Sequence, residues 1–145
     1  MIMSKTNNQQ EIYSVMARLK NSIYSSIVRN DFFLIELSKK FSKYAEFYCL
    51  KQEDEPIGYI AFYDNNQETK VAFLSMITVS KEYQGQGLGN RLLNKMIEVC
   101  RIKGMNSITL EVDKTNENAI VFYEKHGFSK ISKESNISFF YSMRI

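Results

Sequence analysis

At 145 residues and a net charge of +3, with 44% apolar residues, the chain is long enough to bury a core and fits one domain, residues 1–145. So small a charge, with Lys and Arg scattered, excludes the basic stripe of a nucleic-acid binder, and no signal peptide or run of about 18 apolar residues points to a membrane. Cys49 and Cys100 lack C-x-x-C spacing and neighbouring histidines, and His126 is the only histidine, so core thiols in a reducing cytoplasm are expected and a metal centre is not.

From Glu11 onward Ile12, Val15, Met16 and Leu19 recur at helical spacing. After a break at Asn30-Asp31, Phe33, Leu34, Leu37 and Phe41 repeat the pattern, with Lys39, Lys40 and Lys43 on a solvated face. Residues 45–50 and 57–63 are rich in aromatic and β-branched side chains and flank the turn Asp54-Glu55-Pro56-Ile57-Gly58, which predicts a hairpin. Asp64-Asn65-Asn66 makes the next turn. Residues 71–79 are apolar except for Ser75 and Thr78, as expected of a central strand covered on both faces.

A glycine-dense turn follows, and then a helix with Leu88, Leu92, Leu93, Met96, Val99 and Cys100 on one face, ended at Gly104. A short strand spans residues 108–112. Thr115 or Asn116 caps a second helix carrying Ala119, Ile120 and Tyr123, which Gly127 stops. Strands over 128–131 and 137–143 complete the order α-α-β-β-β-α-β-α-β-β, an α/β (α+β) three-layer domain with helices flanking a mixed sheet. The apolar final strand either covers the core or offers an edge to a second copy, so a homodimer is among the expected partners.

The turn Gln84-Gly85-Gln86-Gly87-Leu88-Gly89-Asn90 joins an apolar strand to an amphipathic helix, which is how a chain builds an anion site. Backbone N–H groups at a helix start lack intrahelical acceptors, the dipole adds positive charge, and glycines admit a phosphate. A dinucleotide fingerprint fails here, because Asn90 stands where the third glycine or alanine of G-x-G-x-x-G/A is required. The P-loop pattern is absent too.

Taken as Gln84-x-x-Gly87-x-Gly89, the turn resembles the Q/R-x-x-G-x-G/A signature of the GNAT superfamily of N-acetyltransferases. Leu110-Glu111-Val112, Asn116, Ala119 and the run from Tyr123 to Phe128 are similar to the second half of that family's site, so the likeness covers about residues 57–130. The resemblance implies acetyl-CoA as cosubstrate, no metal, and direct transfer of acetyl to a primary amine in a ternary complex. A small-molecule amine is expected in preference to a protein, with no nucleic acid or membrane partner. The alternative from another class is an acyl-CoA-binding sensor with this fold and little turnover.

By the same resemblance Gln84, Gly85, Gln86, Gly87, Leu88, Gly89 and Asn90 hold the coenzyme pyrophosphate, and Ile77, Thr78 and Val79 pair with the pantetheine arm. Asn116 and Ala119 flank the arm, and Tyr123 is the general acid beside the sulfur. A phenol suits that role, since its pKa of about 10 keeps it protonated at neutral pH. The family's strand glutamate is missing from Leu74-Ser75-Met76-Ile77-Thr78, where Ser75 can at most order a water. Glu111 on the next strand is then the base candidate, and His126, at a helix end, is set aside.

Overall fold

Capping side chains delimit the two opening helices in the computed structural model, which describes residues 1–145. Asn8 accepts the Glu11 N–H at 2.9 Å to start α1 (Gln9–Arg18), and Asn30 accepts the Phe32 N–H at 2.8 Å to start α2 (Asp31–Tyr44). Ahead of them lies a strand that periodicity does not reveal, β1 (Ile2–Lys5), antiparallel to β2 (Glu46–Gln52). Four largely exposed residues give no alternation to read, and pairing with a distant segment defines the strand.

The hairpin from β2 to β3 (Glu55–Tyr63) turns on Glu53 and Asp54, whose φ angles of 52° and 66° give the primed geometry that matches strand twist. Pro56 therefore belongs to β3 and not to the turn, and the register slip between Leu50 and Lys51 accommodates it. The sheet continues with β4 (Val71–Val79), β5 (Ser107–Asp113), β6 (Ser129–Glu134) and β7 (Ser138–Arg144), in the order β1-β2-β3-β4-β5-β7-β6. The final strand is thus interior. The edge at that end is β6, whose residues are all exposed and include Lys130 and Lys133, side chains that discourage pairing with a second sheet.

Two irregularities of β4 position everything that follows. Ala61 lies opposite Met76 but Phe62 opposite Leu74, so Ser75 is an extra, bulged residue. The bulge re-aims the strand, leaving Leu74, Ile77 and Val79 on one sheet face and Met76 on the other. Parallel pairing with β5 then stops at Leu74 and Leu110, so residues 75–79 and 111–113 face one another across an unpaired notch.

Helices α3 (Leu88–Ile102) and α4 (Glu117–Lys125) cover one face through Leu92, Leu93, Met96 and Tyr123, packed on Ile60, Phe62, Leu74, Ile108 and Leu110. On the other face α1 and α2 pack on Phe47, Cys49, Tyr59 and Ala61 of β2 and β3. No helix reaches β5 there, so Phe73, Ser75 and Thr109 are only half-buried and Glu111 is exposed. The three layers are as expected, but β4 is covered on both faces only in part. Cys49 and Cys100 are free and buried, and burial pushes their thiols up to about 11 and about 12, which makes them unreactive core residues.

Candidate active site

The turn after β4 needs glycine for reasons that differ along it. Gly85 and Gly87 have φ of 82° and 80°, a left-handed backbone that a side chain strains. Gly87 is also the N-cap of α3, and the first intrahelical bond runs from the Arg91 N–H to its carbonyl at 3.1 Å. The N–H groups of Leu88, Gly89 and Asn90 thus have no intrahelical acceptor and are available to an anion. At Gly89 the constraint is space, since a β-carbon would come within 3.1 Å of the Phe122 ring. Gln84 braces the turn by donating from Nε2 to the Val79 carbonyl at 3.0 Å.

Opposite the turn, Asn116 starts α4 by accepting the Ala119 N–H at 3.3 Å. Thr115 is occupied otherwise. Its N–H and hydroxyl both donate to the Asp113 carboxylate, at 2.8 and 2.6 Å, so the Tyr24 hydroxyl, 2.6 Å away, donates to Thr115 Oγ1. Ser22 accepts the Lys81 N–H at 3.1 Å. The connection between α1 and α2 therefore straps together the two turns that flank the notch.

Between the glycine turn, the end of β4 and α4 runs a groove of about 750 Å³. Ile77, Val79, Gln84, Gly85, Gly87, Leu88, Gly89 and Asn90 line one side, and Asn116, Ala119 and Tyr123 the other. Two residues expected with them are elsewhere. The Thr78 side chain is buried where β4 passes Tyr59 on the opposite sheet face, and Gln86 is exposed outside the groove. Tyr83, Asn118, Phe122, Lys125 and His126 also line it.

His126 is more than a helix-end residue. Its Nδ1 donates to the Phe122 carbonyl at 2.8 Å, and Nε2 lies 2.9 Å from the Asn90 side-chain amide, joining the end of α4 to the start of α3. Only the tertiary approach of two helices creates this contact.

Tyr123 is 8% exposed, and its ring packs edge-on against Phe122 and Phe128, with centroids at 5.5 and 5.7 Å. Burial pushes the phenol up to about 12. Glu111 stands on the other side of the sheet, exposed, paired across strands with Phe140, and one residue past the point where β4 and β5 part. Acid and base candidates thus flank one notch from opposite faces. No group of three His, Cys, Asp or Glu residues converges, and no helix is long and apolar enough to cross a membrane.

A helix start with free N–H groups, an unpaired strand edge and a buried phenol thus meet in one groove, the arrangement of an acetyltransferase domain. The chain belongs to the GNAT acetyltransferase family, whose model matches residues 11–128. It is 30% identical over 112 residues to N-alpha-acetyltransferase 30 of Schizosaccharomyces pombe, an alignment covering 68% of this chain and 73% of that protein. It spans between 36% and 50% of the length of four further curated relatives. Among solved structures, the PaiA N-acetyltransferase of Thermoplasma acidophilum in complex with coenzyme A superposes with a TM-score of 0.79 at 17% identity, covering all of both chains. The ribosomal-protein-S18-alanine N-acetyltransferase of Escherichia coli gives 0.78 at 18%, covering 99% and 94%.

Proposed function

We propose that this protein is an acetyl-CoA-dependent N-acetyltransferase acting by direct transfer to a small primary amine. The observation that carries the reading is the notch between β4 and β5, which opens directly beside the glycine turn and beneath Tyr123. An acyl-CoA fits this site: the free N–H groups of residues 88–90 suit its pyrophosphate, and the unpaired edge of β4 over residues 76–79 suits pantetheine amides as an added strand. Asn116 and Ala119 face the same arm. The acetyl thioester supplies an electrophilic carbonyl at the notch.

The chain's own groups then divide the proton work. The acceptor enters from the face that no helix covers, where Glu111 takes the ammonium proton through water. Free β4 backbone donors at the notch polarise the carbonyl. Tyr123, held neutral by burial, donates a hydrogen bond to the departing sulfur. With a pKa of about 12 it does not ionise below strongly alkaline pH, so it remains a donor throughout the working range.

Relatives that bear on the acceptor divide, since N-alpha-acetyltransferase 30 and the S18-alanine enzyme carry protein-directed names, whereas a nourseothricin acetyltransferase of similar fold is named for a small molecule. A cavity of small-ligand size beside the notch favours the small amine here. The test is thiol release from acetyl-CoA across an amine panel, with coenzyme A binding measured in parallel. Binding without release from any amine replaces the enzyme by an acyl-CoA sensor, and absence of binding sinks both readings.

A further inference from the structure

On the open sheet face, on the far side from the coenzyme groove, lies a second cavity of about 420 Å³. Its wall is formed by Lys40 of α2, Tyr63 at the end of β3, Asn65 and Asn66 of the following turn, and Phe73 and Ser75 of β4. No carboxylate lines it. Lys39 is paired with Glu36 at 3.3 Å, but Lys40 is in no ion pair and places its ammonium 5.5 Å from the centre of the Tyr63 ring. Tyr63 presents its ring to the cavity, its hydroxyl being buried out of reach of solvent.

Two further groups offer free donors. Asn66 Oδ1 is taken by the N–H groups of Glu68 and Thr69, at 3.2 and 3.1 Å, which leaves its amide N–H free. Ser75 is the bulged residue, and its hydroxyl has no partner within the chain. An ammonium, a hydroxyl and an amide over an apolar floor of Phe73 and the Tyr63 ring suit an oxyanion, and on an amine acceptor that group is a carboxylate.

Ser75 gives the cavity its bearing on the reaction. It is shared between the cavity wall and the end of β4–β5 pairing, so a ligand seated here lies beside the notch. We infer that the cavity holds the carboxylate of the acceptor, which makes the acceptor an amine that also carries a carboxylate, its nitrogen directed to the notch and Glu111. The inference rests on the N-acetyltransferase reading. In the step itself the amine nitrogen forms the C–N bond and loses one proton, and the C–S bond breaks with its electron pair and one proton going to sulfur.

Initial rates with linear amino acids from glycine to 6-aminohexanoate, each set against its own amide, test the assignment. At least one acid is expected to show a KM about tenfold or more below that of its amide, the size of one hydrogen-bonded charge. Lys40→Gln, checked for an unchanged melting temperature, brings the two KM values together and leaves the acetyl-CoA dissociation constant as in the wild type. Lys40→Arg restores part of the difference. Acids and amides of equal KM, or a peptide amine used far better with no dependence on Lys40, overturn the inference. If no pair turns over, calorimetric titration of the same amino acids into protein saturated with coenzyme A decides. Binding lost in Lys40→Gln keeps the carboxylate site while the transferase reading fails, and absence of binding overturns the site.

Discussion

In the proposed mechanism Tyr123 is a donor because burial keeps it from becoming a phenolate. Tyr123→Phe is expected to lower kcat by roughly a hundredfold, with little change in coenzyme A affinity, as titration calorimetry can show. Equal loss of both would make the tyrosine structural. The family frame made this residue legible in the sequence, but its environment was not, since nothing local tells that Phe122 and Phe128 enclose the ring. Asp64 illustrates the opposite case. The sequence places it in a turn, and it is 3% exposed, with one oxygen 3.2 Å from Lys103 and the other unpartnered. Burial, reinforced by Glu46, raises its pKa against the pull of Lys103. Its folded value therefore lies above the unfolded 3.8, and the stability linked to protonation is present below that pH and lost as pH rises through the folded value. Asp64→Asn should melt at or above the wild-type temperature at pH 8, and the difference should vanish below about pH 3.8, a comparison that thermal denaturation at the two pH values makes directly.

Among the elements, the strand-turn-helix was readable because glycine spacing and helix amphipathicity are both local. What the glycines do was not, as a left-handed backbone at Gly87 and a close ring at Gly89 look alike in sequence. Gly87→Ala is expected to destabilise by about 1–2 kcal/mol and to weaken coenzyme A binding, measured by urea denaturation and calorimetry on the same sample. The β2–β3 turn offers the reverse test. Glu53 and Asp54 both hold positive φ, so replacing the pair with Asn-Gly should stabilise by about 1 kcal/mol and raise the melting temperature, whereas no change would mean the turn is unstrained. Boundaries moved where a residue's role was set by a partner. Pro56 entered β3 through a bulge, and β1 exists because β2 lies beside it.

The whole molecule is a twisted sheet filled unevenly, with two helices over the groove side and two over only β2 and β3 on the other. The same burial governs its response to alkali. Cys49 and Cys100 move from 9.0 to about 11 and about 12, and Tyr123 from 10.0 to about 12. Each folded value exceeds the unfolded one, so their contribution is whole below pH 9 and is lost as pH rises from there through the folded values. Urea midpoints should hold between pH 7 and 8.5 and fall steeply by pH 10.5. A flat profile would show that these groups reach solvent.

Composition, periodicity and the two spaced motifs were enough to determine the layered α/β fold, the helix limits, the glycine turn into α3, the core thiols and the acetyltransferase resemblance, because each rests on residues near one another in the chain. Tertiary structure alone decided where the strands part, which face stays open, that His126 reaches Asn90, that Thr78 turns away, and that Lys40, Tyr63 and Ser75 share a cavity. Those outcomes depend on bulge position, strand order and helix approach, and these are set by contacts between segments that no local pattern encodes.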